Sequence, residues 1–154
     1  EKLPDFLGRK TSVENLHLTL KFLGEISEEE IQKIKEQLRK INFNKFKIEI
    51  NSLGVFSENF IRIIWLHLSN CDALQKEIDR VLNEIGFEKE KRFMSHLTIA
   101  RVKKIENKNY FLKKLKQINF DKIVFEVDKF KLKESVLSSR GARYFNLETY
   151  NLGN

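Results

Sequence analysis

The chain has 154 residues, 41% of them hydrophobic and 33% charged, which fits one compact soluble domain and excludes a long disordered protein. Lys and Arg number 29 against 22 Asp and Glu, a balance of +7 that favours an anionic partner such as nucleic acid or a phosphorylated small molecule. No apolar run approaches the ~18–20 residues that span a bilayer, and no apolar opening stretch ends in a small-residue cleavage site.

Cys71 is the only cysteine, so an internal disulfide and a thiolate zinc site are both excluded, and a reducing cytoplasm fits best. The first residue is Glu rather than Met, which points to a translation start upstream of residue 1. With one Pro, six Gly and no low-complexity tract, residues 1–154 read as a single domain.

Taken in chain order, Leu16, Leu18, Leu20 and Phe22 alternate with His17, Thr19 and Lys21, the period of a strand with one core face, and Gly24 ends it. Ser27 and Glu30 have the spacing of a capping box, and Ile31, Ile34, Leu38 and Ile41 recur at helical spacing, predicting a helix over 28–41. Alternation at Phe46, Ile48 and Ile50, then a run from Phe60 to Leu68, predicts two neighbouring strands. Leu74, Ile78, Val81, Leu82 and Ile85 form a helical stripe that stops at Gly86. A strand over 95–102, a weaker helix over 107–118 and strands over 123–132 and 143–149 complete the chain, the last two separated by Ser138, Ser139, Arg140 and Gly141. The order is that of an α+β fold with mixed or antiparallel sheets.

Two segments share a signature, His17-Leu18-Thr19-Leu20 and His96-Leu97-Thr98-Ile99, 79 residues apart. The chain holds only three His and four Thr, so chance is a poor account of the repetition. On a strand, side chains at i and i+2 project from the same face, so each His is mounted beside its Thr while Leu18 and Leu97 point the other way. Displacement at phosphorus needs a base for the attacking water, an acid for the departing oxygen and donors for the phosphoryl oxygens. Two imidazoles, with an ordinary pKa near ~6.5, supply the first two, and two hydroxyls supply donors. This chemistry needs no metal or other cofactor.

His67-Leu68-Ser69 also carries a hydroxyl at i+2 but lacks the following apolar residue, and Ser69 or Asn70 reads better as a cap for the next helix. Lys21 shares the predicted face of His17 and could meet a substrate phosphate, though surface lysines are common. Phe56 and Tyr144 could stack on a base, with core packing the default for Phe56. The Lys-rich stretches at 103–108 and 113–116 read as solvated faces.

The motifs resemble those of the two-histidine (2H) phosphoesterases, and among these the RNA 2′,3′-cyclic phosphodiesterases historically called 2′-5′ RNA ligases. The residues from Glu14 to Glu25 look like that family's first motif and Ser95 to Val102 like its second; Gly54-Val55-Phe56 before a strand with Trp65, and Gly141 followed by Tyr144, also fit. The resemblance covers about residues 11–150 and implies a bilobal fold, two similar sheet-plus-helix lobes around a central basic cleft. It implies metal-independent opening of a 2′,3′-cyclic phosphate at an RNA or nucleotide end to a 2′-phosphate by a cytoplasmic monomer, with weak 2′-5′ ligation in reverse. By this analogy His17 protonates the leaving 3′ oxygen, His96 activates water, and Thr19 and Thr98 hold the phosphate, with the acid and base labels interchangeable. Arg101 matches an Arg near the phosphate in the family, but strict alternation sets it on the face opposite His96, so a bulge or twist is required. The family's usual opening strand and helix are not evident before residue 14. Two other readings stay open: a nucleotide- or RNA-binding module of the same fold with little catalysis, and a phosphodiesterase acting on 2′-5′-linked oligonucleotides.

Overall fold

The computed structural model describes residues 3–138 and 141–153, so Ser139 and Arg140 of the predicted turn lie outside the described residues. Among the described residues seven strands and three α-helices follow in the order β1 (Leu7–Lys10), α1 (Glu28–Arg39), β2 (Phe46–Val55), β3 (Ile63–Leu68), α2 (Asp72–Asn83), β4 (His96–Lys104), α3 (Lys108–Lys116), β5 (Ile123–Val127), β6 (Lys129–Ser138) and β7 (Gly141–Asn151). They form a five-stranded sheet in the order β1-β4-β3-β2-β5 and a two-stranded β6-β7 hairpin. The α+β class stands, with antiparallel pairing at β1–β4, β2–β3, β3–β4 and β6–β7.

Local signals explain most of these elements. The Ser27 hydroxyl accepts from the Glu30 N–H while the Glu30 carboxylate accepts from the Ser27 N–H, which closes the predicted capping box. Asn107 caps α3 by accepting from the Tyr110 N–H. Helix α2 ends three residues before Gly86, whose N–H bonds the Asn83 carbonyl. Three expectations change. The strand over 16–22 shrinks to one antiparallel bridge, Leu18 with Leu97. Phe22 at its far end is 83% exposed, because no ladder continues there to give its alternation a buried side. The run over 123–132 breaks at Asp128 into β5 and β6. Finally, Leu7–Lys10 forms a strand, exposed throughout and held by pairing with β4 rather than by any apolar period.

The chain divides into two compact units. The first takes residues up to Leu18, Glu49–Ser69 and Ser95–Val124; the second takes Thr19–Ile48, Asn70–Met94 and Phe125 onward. In the first, Ile64 and Ala100 from β3 and β4 pack with Phe111 and Leu115 of α3, alongside Ile61 and Val102. In the second, Ile34 and Leu38 of α1 and Leu74, Ile78, Val81 and Leu82 of α2 pack with Phe130, Leu132, Tyr150 and Leu152. Each fully buried side chain of this kind contributes about 1.5–3 kcal/mol, so each unit has a core of its own.

Candidate active site

The first unit's sheet has one face toward its core and one away from it. Ile64 and Ala100, which pair across β3 and β4, are both fully buried on the core side. Counting from them, Trp65 and His67 of β3 point to the opposite face, and with them their partners Thr98 and His96. The bridge between Leu18 and Leu97 continues this pattern on the other side of β4. The bridged Leu18 directly follows His17 and the bridged Leu97 directly follows His96, so the two motif segments meet at this point. His96 and Thr98 share one face of β4, and His17 belongs to the same unit. Thr19 directly follows the bridged Leu18, where the chain passes into the second unit.

The histidines are held differently. His17 Nδ1 lies 2.7 Å from the carbonyl oxygen of Asn15, at the end of the 3₁₀ turn Val13–Asn15. A carbonyl only accepts, so Nδ1 carries the proton and proton exchange falls to Nε2. The His96 ring meets Phe56 edge to face, with centroids 4.9 Å apart and planes at 86°. Phe56, 51% exposed, leans in turn on Trp65 at 5.8 Å. Trp65 lies over Gly54, its partner in the β2–β3 register; a Cβ there would come within 2.5 Å of the indole. The Gly54, Phe56 and Trp65 cluster thus forms a wall beside His96. Ser95 anchors the start of β4 by donating its hydroxyl to the Leu68 carbonyl.

Arg101 requires a phase change in β4, and the structure has one. Ile64 pairs with Ala100 but Trp65 pairs with Thr98, so Ile99 is an extra residue on β4. Such a bulge re-aims the side chains beyond it. Arg101, paired with Ile63, returns to the face of Thr98 and His96, and it is exposed there. Sequence periodicity could not reveal this. Two further neighbours stand out, His67, which the sequence reading set aside, and Arg9, which it did not consider. His67 lies directly across from His96, with Nδ1 3.1 Å from the Asn51 side-chain oxygen, and Arg9 of β1 lies directly across from Arg101.

Two expected substrate contacts lie in the second unit. Lys21 donates to Asp79 at 2.5 Å and to the Glu88 carbonyl at 2.6 Å, and both charged side chains are only 6% exposed. Its ammonium is therefore a structural partner of Asp79 rather than a group presented to substrate. Burial alone would raise the Asp79 carboxyl, but hydrogen bonds from Lys21, the Glu90 N–H and Gln75, with the Lys21 charge, outweigh it and hold the carboxyl below its ordinary value. Tyr144 sits half-buried on β7 with the Lys133 ammonium 5.9 Å from its ring. Among the described residues no three His, Cys, Asp or Glu side chains gather to hold a metal ion, and no helix is long and apolar enough to cross a membrane.

Paired His-x-Thr motifs joined at an antiparallel bridge, with an arginine re-aimed toward them, are the marks of a two-histidine phosphoesterase. The family profile described as LigT like Phosphoesterase matches residues 1–65 and 69–144, and the chain belongs to that family. It is 41% identical over 138 residues to the RNA 2′,3′-cyclic phosphodiesterase of Methanocaldococcus jannaschii, covering 85% of this chain and 77% of the relative. To the RNA 2′,3′-cyclic phosphodiesterase of Thermotoga maritima it is 38% identical over 139 residues, covering 86% and 73%. Among solved structures it is similar in fold to Escherichia coli LigT complexed with 3′-AMP, with a TM-score of 0.76 at 22% identity over 99% of this chain and 85% of that one.

Proposed function

We propose that the protein hydrolyses the 2′,3′-cyclic phosphate at an RNA or nucleotide end to a 2′-phosphate. The observation that supports this reading is the Leu18–Leu97 bridge, which joins the segments carrying the two His-x-Thr motifs, together with the activity named for relatives at 41% and 38% identity. The water oxygen forms a bond to phosphorus as His96 takes its proton, and the bond from phosphorus to O3′ breaks as His17 Nε2–H protonates that oxygen. The Thr19 and Thr98 hydroxyls and the Arg101 guanidinium donate to the phosphoryl oxygens, where charge builds in the transition state. The proton count then resets by exchange with solvent. With a 5′-hydroxyl in place of water the same steps yield a 2′-5′ linkage, so weak ligation is the expected side reaction. The lone Cys71 is in keeping with an enzyme working in the cytoplasm, and a monomer is our expectation.

General acid and base groups are each worth ~10²–10⁴-fold. His17→Ala and His96→Ala should each lose turnover of a 2′,3′-cyclic nucleotide by that factor while keeping the wild-type circular dichroism and melting temperature, and wild-type activity should survive EDTA. Phosphorus NMR of the product reads which oxygen departs. Turnover retained by the His96 variant, or a 3′-phosphate product, would overturn the assignment. Saturable nucleotide binding with no product at all would instead identify a binding module.

A further inference from the structure

On the face that carries His96 and Thr98, antiparallel strands β1 and β4 hold Arg9 directly across from Arg101. Residues so opposed point the same way with Cβ atoms about 4.5–5.5 Å apart. Both side chains are exposed. The register that opposes them depends on two local features. The bulge at Ile99 turns Arg101 to this face. Gly8, next to Arg9, lets the β1 backbone lie against the Arg101 carbonyl, because a Cβ at Gly8 would run into that oxygen and into the Phe6 ring. Guanidinium forks match phosphate oxygens two at a time, so an anion between these two side chains meets both.

Arg101 stands three residues from Thr98, at most about 10 Å along the strand, so the arginine pair lies beside the His-Thr group rather than over it. Arg9 has no task in opening the cyclic phosphate. We propose that Arg9, with Arg101, binds the phosphodiester on the 5′ side of the cyclic end, so that the enzyme prefers an oligoribonucleotide end to a mononucleoside 2′,3′-cyclic phosphate. The proposal rests on the reading of the site as a cyclic phosphodiesterase.

The test compares wild type, Arg9→Ala and Arg9→Lys on cytidine 2′,3′-cyclic phosphate, which has no 5′ phosphate, and on an oligoribonucleotide with the same cyclic end. Arg9→Ala should raise KM for the oligoribonucleotide about tenfold, the loss of one charged contact, and leave kcat/KM for the mononucleoside within about twofold of wild type. Its salt slope on the oligoribonucleotide should fall by about one, and Arg9→Lys should recover part of the affinity. Equal losses on both substrates, or no loss on the oligoribonucleotide, would overturn the proposal. Fluorescence anisotropy with a labelled oligoribonucleotide ending in a 2′-phosphate reads the same contact without turnover. A wild type that binds this product but turns over neither substrate would defeat the functional reading alone, and the Arg9 contact would then stand or fall on whether Arg9→Ala weakens binding about tenfold.

Discussion

Adding one methyl group at Gly54 tests whether the aromatic wall positions His96. Gly54 faces Trp65 across β2 and β3, and a Cβ there would sit 2.5 Å from Cη2 and 2.7 Å from Cζ2 of the indole. Ordinary carbon contacts are about 3.5–4.0 Å, so the ring must retreat by about 1 Å. Trp65 is in contact with Phe56, and Phe56 with His96, so the displacement is passed toward the imidazole. Overpacking of this kind costs about 1–3 kcal/mol. At about 2–4 °C per kcal/mol for a chain of this size, the melting temperature should drop by about 2–12 °C. A misplacement of about 1 Å at a reacting group can cost about 10²-fold in rate, so kcat on a 2′,3′-cyclic nucleotide should fall by about ten- to a hundredfold. Thermal unfolding by circular dichroism and steady-state kinetics measure the two effects on one preparation. The double variant Gly54→Ala/Trp65→Phe should recover much of both, since phenylalanine lacks the clashing outer ring and removes the buried indole N–H, which has no hydrogen-bond partner among the described residues. A single variant that melts and turns over like wild type, or a double variant no better than the single one, would refute the wall as a positioning element.

Two further substitutions read the second unit. Asp79→Asn leaves the Lys21 ammonium buried without its counter-charge and should destabilise by about 3–5 kcal/mol, whereas Lys21→Met should lower stability without raising KM for a cyclic nucleotide; denaturant melts and kinetics separate these from a substrate role for Lys21. Because the Asp79 carboxyl is held below its ordinary 3.8, its contribution is in place above that pH and is lost as the pH falls through the lower folded value, so Asp79→Asn should flatten the acid limb of stability below about pH 3.8. Burial and the nearby Glu148 charge raise Tyr150 from 10.0 to about 12, and its hydroxyl is buried without a hydrogen-bond partner among the described residues. The folded state therefore keeps a proton that the unfolded state releases between those values, and stability declines as pH rises through that window. Tyr150→Phe should remove this decline and, at neutral pH, gain about 1 kcal/mol in a denaturant melt.

Features written in local chemistry were legible in the sequence. The Ser27 and Glu30 capping box and the stripe from Leu74 to Leu82 are each set by residues within a turn or two of one another, and α1 and α2 form accordingly, although α2 is capped at Cys71 rather than by the side chain of Ser69 or Asn70. That His96 and Thr98 share a face was legible too, because alternation along β4 fixes which side chains travel together. Pairing was not. The segment around Leu18 has a strand's alternation yet only one bridging residue, while Leu7–Lys10 has no apolar period and pairs along its whole length. The extra residue at Ile99 has no signature, so the side on which Arg101 emerges depends on a partner strand far earlier in the chain. Lys21 shows a further gap: alternation gave it a face, but Asp79, 58 residues on, claims its charge.

The division of the chain into interleaved stretches bears on how the protein is made. Neither half is a continuous piece of sequence, and Ile34 of α1 shares its core with Tyr150 and Leu152 near the other end. On a ribosome that hydrophobic cluster cannot close until the final strand has emerged, and contacts of such long sequence separation slow the search for the native state. Nascent chains should therefore stay vulnerable to proteases and dependent on chaperones until Leu152 has emerged, and cutting the chain between Leu38 and Phe130 should yield fragments that fold only when mixed.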